Sequence, residues 1–183
     1  MQVERYGAGI FTVKGFLTAE ECASFIERSE GRGYVEAGIR VEGEEQFLKD
    51  VRNNDRVIWD DPQLAHLLFE RARSVLPPEI DGWRLAGLNE RFRFYRYSEK
   101  QQFDWHLDGA VSLGEGRESF LTFMIYLNDD FEGGRTEFGW EAVAPVQGMA
   151  LVFPHRRRHK GAAVVSGRKY VLRTDVLYEG TDA

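Results

Sequence analysis

The succession of residue patterns in this chain predicts an α+β fold, with helices packed on one side of a largely antiparallel sheet or barrel. Two observations carry it. Apolar residues recur at helical spacing only in the first half, and from about Trp83 onward they alternate residue by residue. The alternating stretches also end in turn signals, among them Gly133-Gly134 and Pro154.

The first helix is expected in "TAEECASFIERSE". Thr18 is its N-cap and Glu21, three residues on, completes a capping box; Cys22, Phe25 and Ile26 supply the apolar stripe. The second is expected in "DDPQLAHLLFERARSVLPP", with Asp61 as cap, Pro62 at the first helical position and Pro77 as the stop. The strands follow. "RFRFYRY" places Arg91, Arg93, Tyr95 and Tyr97 on one face and Phe92 and Phe94 on the other. "SFLTFMIYLND" sets Thr122, Met124 and Tyr126 against Leu121, Phe123 and Ile125. "GMALVFP" is a short apolar strand. "RKYVLRTDVLY" sets Lys169, Val171, Arg173 and Asp175 against Tyr170, Leu172, Thr174 and Val176. Each long strand thus has one apolar and one polar face. A polar face either looks at water or lines a wet pocket inside a barrel or jelly roll. Tyrosines mixed with Arg and Lys favour the pocket.

At 183 residues the chain has the size of one domain with a real core. A net charge of −6 speaks against a general nucleic-acid binder, although "HRRRHK" at 155–160 is locally basic and reads as a solvated loop. The single cysteine, Cys22, permits no internal disulfide and suits a reducing compartment. No signal peptide and no membrane span is read from the sequence, so the expected location is the cytoplasm.

The segment "FDWHLDG" places His106 and Asp108 two apart, which on a strand points them the same way. An imidazole and a carboxylate side by side can hold a metal, and two His with one carboxylate is the donor set of non-haem Fe(II) oxygenases. The pair alone is weak evidence. The chain has three other histidines. His66 falls in the second helix and reads as structural, while His155 and His159 lie together between two strands, ahead of Lys169.

The stretch from about Asn89 to Tyr178, roughly half the chain, resembles the 2-oxoglutarate- and Fe(II)-dependent dioxygenases of the prolyl 4-hydroxylase-like branch. The matching pieces are "FRFYRYSEKQQFDWHLDG", "LTFMIYLNDDFEGGRTEF" and "GMALVFPHRRRHKGAAVVSGRKYVLRTDVLY". The resemblance implies a double-stranded β-helix, a jelly-roll or cupin-like barrel. It would form a single domain over 1–183, with helical support over about 1–88 and a catalytic β-core over about 89–178. It implies iron ligands His106, Asp108 and His159; His159 fits the pattern that follows it, though spacing alone leaves His155 open. It implies Lys169 as partner of the far carboxylate of 2-oxoglutarate, with Tyr97 and Tyr126 in the same pocket. A lysine pointing into a barrel needs such an anion. Arg173, on the same face, is a second carboxylate partner, a substrate contact or a structural pair with an acid. The loop "SEKQQF" and Lys160 depart from the family pattern near the expected pocket mouth. Asp108 argues against halogenase chemistry.

The reaction so implied is hydroxylation of a protein residue or small molecule, coupled to decarboxylation of 2-oxoglutarate. The expected cofactors are Fe(II), 2-oxoglutarate and O2, with L-ascorbate as a reductant. Arg93, Trp140 and the "RNNDR" segment at 52–56 are candidates for substrate contact, or else surface salt bridges. Two other classes stay open: a barrel that binds without turnover, and a zinc protein, since the same donors suit zinc. A complete set of His106, Asp108, His159 and Lys169 counts against the first; Lys169 and Tyr126 count against the second.

Overall fold

Phe92 and Phe94 point one way from their strand, Tyr95 and Tyr97 the other, and the two directions lead to two separate cores. The computed structural model describes residues 1–41, 44–114 and 116–180. Its two helices are α1 (Ala19–Arg32) and α2 (Pro62–Ala72). Its principal strands are β1 (Gln2–Gly7), β2 (Ile10–Lys14), β3 (Asp55–Asp60), β4 (Trp83–Leu88), β5 (Arg91–Tyr97), β6 (Phe103–His106), β7 (Ser112–Gly114), β8 (Arg117–Tyr126), β9 (Thr136–Glu137), β10 (Ala142–Val143), β11 (Ala150–Pro154), β12 (His159–Gly161) and β13 (Lys169–Gly180).

An eleven-stranded sheet runs β1-β2-β11-β8-β13-β5-β3 and ends on the short strand Val35–Glu36; β4, with the short strand Glu79–Ile80 paired to it, and β7 join beside β13 and β8. A four-stranded sheet runs β6-β12-β9-β10. Every pairing is antiparallel. In the large sheet Met124 faces Arg173 and Arg173 faces Arg93 across neighbouring strands, so their side chains share one face. In the small sheet His106 faces His159.

The outer face of the large sheet carries the helices. Cys22 and Phe25 of α1 and Leu64, Ala65 and Leu68 of α2 pack on Phe92, Phe94, Phe123 and Leu172. Burial of each large apolar side chain there is worth about 1.5–3 kcal/mol. Trp59 of β3 stacks on Phe94 at 4.0 Å. The capping box forms as the sequence predicts: Glu21 N donates to Thr18 Oγ1 at 3.2 Å and Thr18 N donates to Glu21 Oε2 at 2.9 Å. Glu21 is also held by Arg71 of α2 at 2.7 Å, so the cap ties the two helices together. No helix of the described residues is long and apolar enough to cross a membrane.

The structure differs from the sequence reading in two places. The second helix closes at Ala72, well before Pro77, because Val75 and Leu76 both donate to the Ala72 carbonyl and the chain tightens there, bringing Leu76 into the core. The first 88 residues are not only helical: β1, β2, β3 and β4 are strands of the large sheet.

Candidate metal centre

The polar faces of the large sheet turn inward. Tyr95, Tyr97, Thr122, Met124, Lys169, Val171 and Arg173 line a cavity closed on its other side by Phe103, His106, Thr136, His159 and Gly161. The pocket reading of those faces is therefore the one the structure bears out.

At its mouth one ligand atom each from His106, Asp108 and His159 lie within 4.8 Å of one another. The two histidines come from paired strands, and Asp108 follows the end of β6. Both rings are oriented in the same way. His106 Nδ1 lies 2.7 Å from the Asp104 carbonyl and His159 Nδ1 lies 2.8 Å from the Arg157 carbonyl. A carbonyl only accepts, so each Nδ1 carries the proton and each Nε2 keeps a free lone pair. Those Nε2 atoms stand 3.8 and 3.7 Å from the carboxylate oxygens of Asp108. Phe103 stacks on the His106 ring at 3.5 Å and fixes its plane.

The electrostatics hold these donors ready. Burial, helped by His159, pushes His106 down to about 4, and burial also lowers His159. Burial works against the charge on Asp108, but the Arg173 guanidinium, with His159 and His106, holds its carboxyl well below the usual carboxylate range. Two neutral imidazoles and one carboxylate, inward-facing and convergent, fit a divalent first-row metal.

Asp108 is gripped on both oxygens. Arg173 reaches Oδ1 at 3.2 Å and the Thr122 hydroxyl donates to Oδ2 at 2.5 Å. Arg173 also pairs with Asp175 at 3.1 Å, and Asp175 with Arg93 at 3.1 Å. Arg173 is thus a structural partner of acids, one of the three roles open to it from sequence. His155 stands apart from the donor cluster: its ring nitrogens lie 2.9 Å from Ser119 Oγ and 3.0 Å from Thr122 Oγ1, and burial lowers its pKa.

Deeper in, Lys169 is 2% exposed and is pushed down to about 7 by burial. Its Nζ donates to the Gly134 carbonyl at 2.6 Å and lies over the rings of Tyr97 and Tyr126 at 5.2 and 5.4 Å. No acid pairs with it among the described residues. The Tyr126 hydroxyl is 2.7 Å from Thr136 Oγ1, so of that pair it is Thr136 that lines the cavity. Thr122, Thr136 and Tyr95 were not singled out from sequence. Thr122 and Tyr95 were at least visible on the polar faces, whereas the contact of Thr136 with Tyr126 spans two strands and has no sequence signal. Arg93 lies beyond Asp175, away from the cavity, and Trp140 is 59% exposed, with its ring 6.5 Å from Phe138.

Comparisons with known proteins point the same way. A sequence model of the 2OG-Fe(II) oxygenase superfamily matches residues 92–174. A PKHD-type hydroxylase of Shewanella frigidimarina is 29% identical over 86 residues, which are 42% of this chain and 38% of that protein, so the match spans under half of that relative's length. A crystal structure of a Pseudomonas putida prolyl-4-hydroxylase superposes with a TM-score of 0.70 at 18% identity, covering 92% of each chain. The viral collagen prolyl hydroxylase of Paramecium bursaria Chlorella virus-1, in its 2OG complex, gives 0.67 at 20% identity and covers 93% of this chain and 97% of the other. At such identities the structural likeness speaks for the fold, a double-stranded β-helix.

Proposed function

We propose that the chain, which a model of the 2OG-Fe(II) oxygenase superfamily matches over residues 92–174, is an oxygenase of that kind that hydroxylates a substrate at a non-haem iron site, with 2-oxoglutarate as cosubstrate. The observation that carries this reading is the pairing, in one cavity, of three convergent metal donors with a buried lysine that lacks an acidic partner.

In this proposal His106, Asp108 and His159 hold Fe(II). Bound iron supplies the redox chemistry, in which O2 and 2-oxoglutarate yield succinate, CO2 and one hydroxyl group on the substrate. The rest is done by this chain. Lys169 binds the far carboxylate of the cosubstrate, between the rings of Tyr97 and Tyr126 and beside Thr136. Arg173 and Thr122 fix the Asp108 carboxylate. Phe103, Phe153, Met124 and Val171 make the remaining wall apolar and keep water out. L-ascorbate serves as the reductant that keeps the iron ferrous.

The substrate is a peptide residue or a small molecule, and the names of the prolyl hydroxylases among the relatives favour the peptide. In this reading Trp140, whose ring neighbours that of Phe138 beside His159, touches it at the rim. Arg93, committed to Asp175, contributes only if that pair opens. A single buried thiol suits the cytoplasm. The zinc reading accounts for the three donors but leaves Lys169 without a purpose.

The test is an anaerobic titration of metal-free protein with Fe(II) and then 2-oxoglutarate, followed by visible absorbance. A weak new band that is absent in His106→Ala supports the proposal. Folded wild-type protein that shows no band overturns it.

A further inference from the structure

His155 takes no part in the donor cluster, yet both of its ring nitrogens are engaged, in an order that the protons dictate. Thr122 Oγ1 donates to Asp108 Oδ2 at 2.5 Å. A hydroxyl has one proton, so toward His155 Nδ1, 3.0 Å away, the same oxygen only accepts. Nδ1 therefore carries the ring proton. On the neutral ring Nε2 is then an acceptor, and Ser119 Oγ donates to it at 2.9 Å. Ser119 Oγ in turn accepts from the Val111 amide at 2.8 Å. One directed line of hydrogen bonds thus runs from Val111 through Ser119, His155 and Thr122 to Asp108. The backbone closes it, for the Asp108 amide donates to the His155 carbonyl at 3.2 Å. His155, Ser119 and Thr122 are all 4% exposed or less, so water does not stand in for a missing member.

We propose that His155 is a positioning residue for the metal site: through Thr122 it fixes the rotation of the Asp108 carboxylate toward the Nε2 atoms of His106 and His159. This rests on the reading of those three residues as metal ligands. An imidazole suits the place because it is rigid, donates from one nitrogen and accepts at the other. Without a donor at Nδ1, the Thr122 oxygen keeps only the longer contact from the Arg173 guanidinium, 3.4 Å away, and its own proton is held less firmly toward Asp108.

The test is a calorimetric titration of the metal-free full chain with Mn(II). His155→Leu keeps the volume and removes the donor; it weakens Mn(II) binding about 10- to 100-fold, the usual cost of losing a partner behind a ligand. His155→Asn places an amide N–H near the Nδ1 position and restores affinity close to wild type. Near-ultraviolet circular dichroism of the metal-free variants reports whether each is folded. Should His155→Leu not fold, His155→Met against His155→Asn gives the same comparison, with loss in the first and recovery in the second. Folded His155→Leu that binds Mn(II) as wild type does, or equal weakening in Leu and Asn, overturns the proposal while leaving the metal site intact. Wild-type protein that binds no divalent metal overturns the site reading itself, and this proposal with it.

Discussion

The ammonium of Lys169 lies 2.6 Å from the carbonyl oxygen of Gly134, and that carbonyl is its one hydrogen-bond acceptor among the described residues. A buried cation left with a single neutral acceptor is half-solvated at best, and a carboxylate supplies what is missing. Lys169→Ala is therefore expected to raise the 2-oxoglutarate requirement roughly 10- to 100-fold, the worth of one charge-assisted bond. Succinate formation against 2-oxoglutarate concentration measures it. An unchanged requirement, with a large one in Arg173→Ala, would move the anchor to Arg173.

The same lysine predicts a proton. Burial brings its pKa down from 10.5 to about 7, so between those values the free folded protein binds fewer protons than the unfolded chain, and its stability rises with pH across that window. An arriving carboxylate favours the charged form and reverses the shift. Binding of 2-oxoglutarate to the Mn(II)-loaded protein at about pH 8.5 should take up close to one proton. Calorimetry in two buffers of different ionisation enthalpy counts it, and zero uptake speaks against Lys169 as the anchor.

The three donors should fail together. His106→Ala, Asp108→Ala and His159→Ala are each expected to abolish succinate formation and Mn(II) binding. Near-normal turnover by folded His159→Ala would remove that residue from the metal set.

Acid should loosen the metal-free protein early. His106 has a folded pKa of about 4 against an ordinary 6.5, so in that interval the unfolded chain takes up the proton that the folded one refuses. Stability is complete above about pH 6.5 and falls as pH drops toward 4, by a few kcal/mol. Urea unfolding at a series of pH values in the presence of a chelator reads this. His106→Gln should flatten the fall, and an equally steep fall in that variant would assign it to other groups.

Much of the site was legible in the sequence because its strands alternate cleanly. In β5, β8 and β13 a two-residue period separates helix-facing Phe92, Phe123 and Leu172 from cavity-facing Tyr97, Met124 and Lys169, and nothing in the tertiary structure overrides it. The capping box at Thr18 was legible for the same local reason. The strands β1 and β2 were not, because β1 is exposed on nearly every residue and β2 is buried on four in a row, so neither alternates. Spacing alone could not say whether His155 or His159 joins His106 and Asp108, since that depends on tertiary contacts. The amide of His155 bonds to Phe120 and its ring points at Ser119 and Thr122, while His159 enters the small sheet opposite His106.

That cross-strand meeting of His106 and His159 bears on which changes of length the chain tolerates. Strand register, not the 52 residues between them, brings the two rings together. Residues 127–135 and 139–148 stand outside the pairing of β6 with β12, so their number does not set which residues of those two strands face each other. A single residue inserted within either strand is another matter. It would turn the imidazole through the sheet, to the side where Trp105 sits against Lys160, and leave the carboxylate of Asp108 facing a ring that is no longer there.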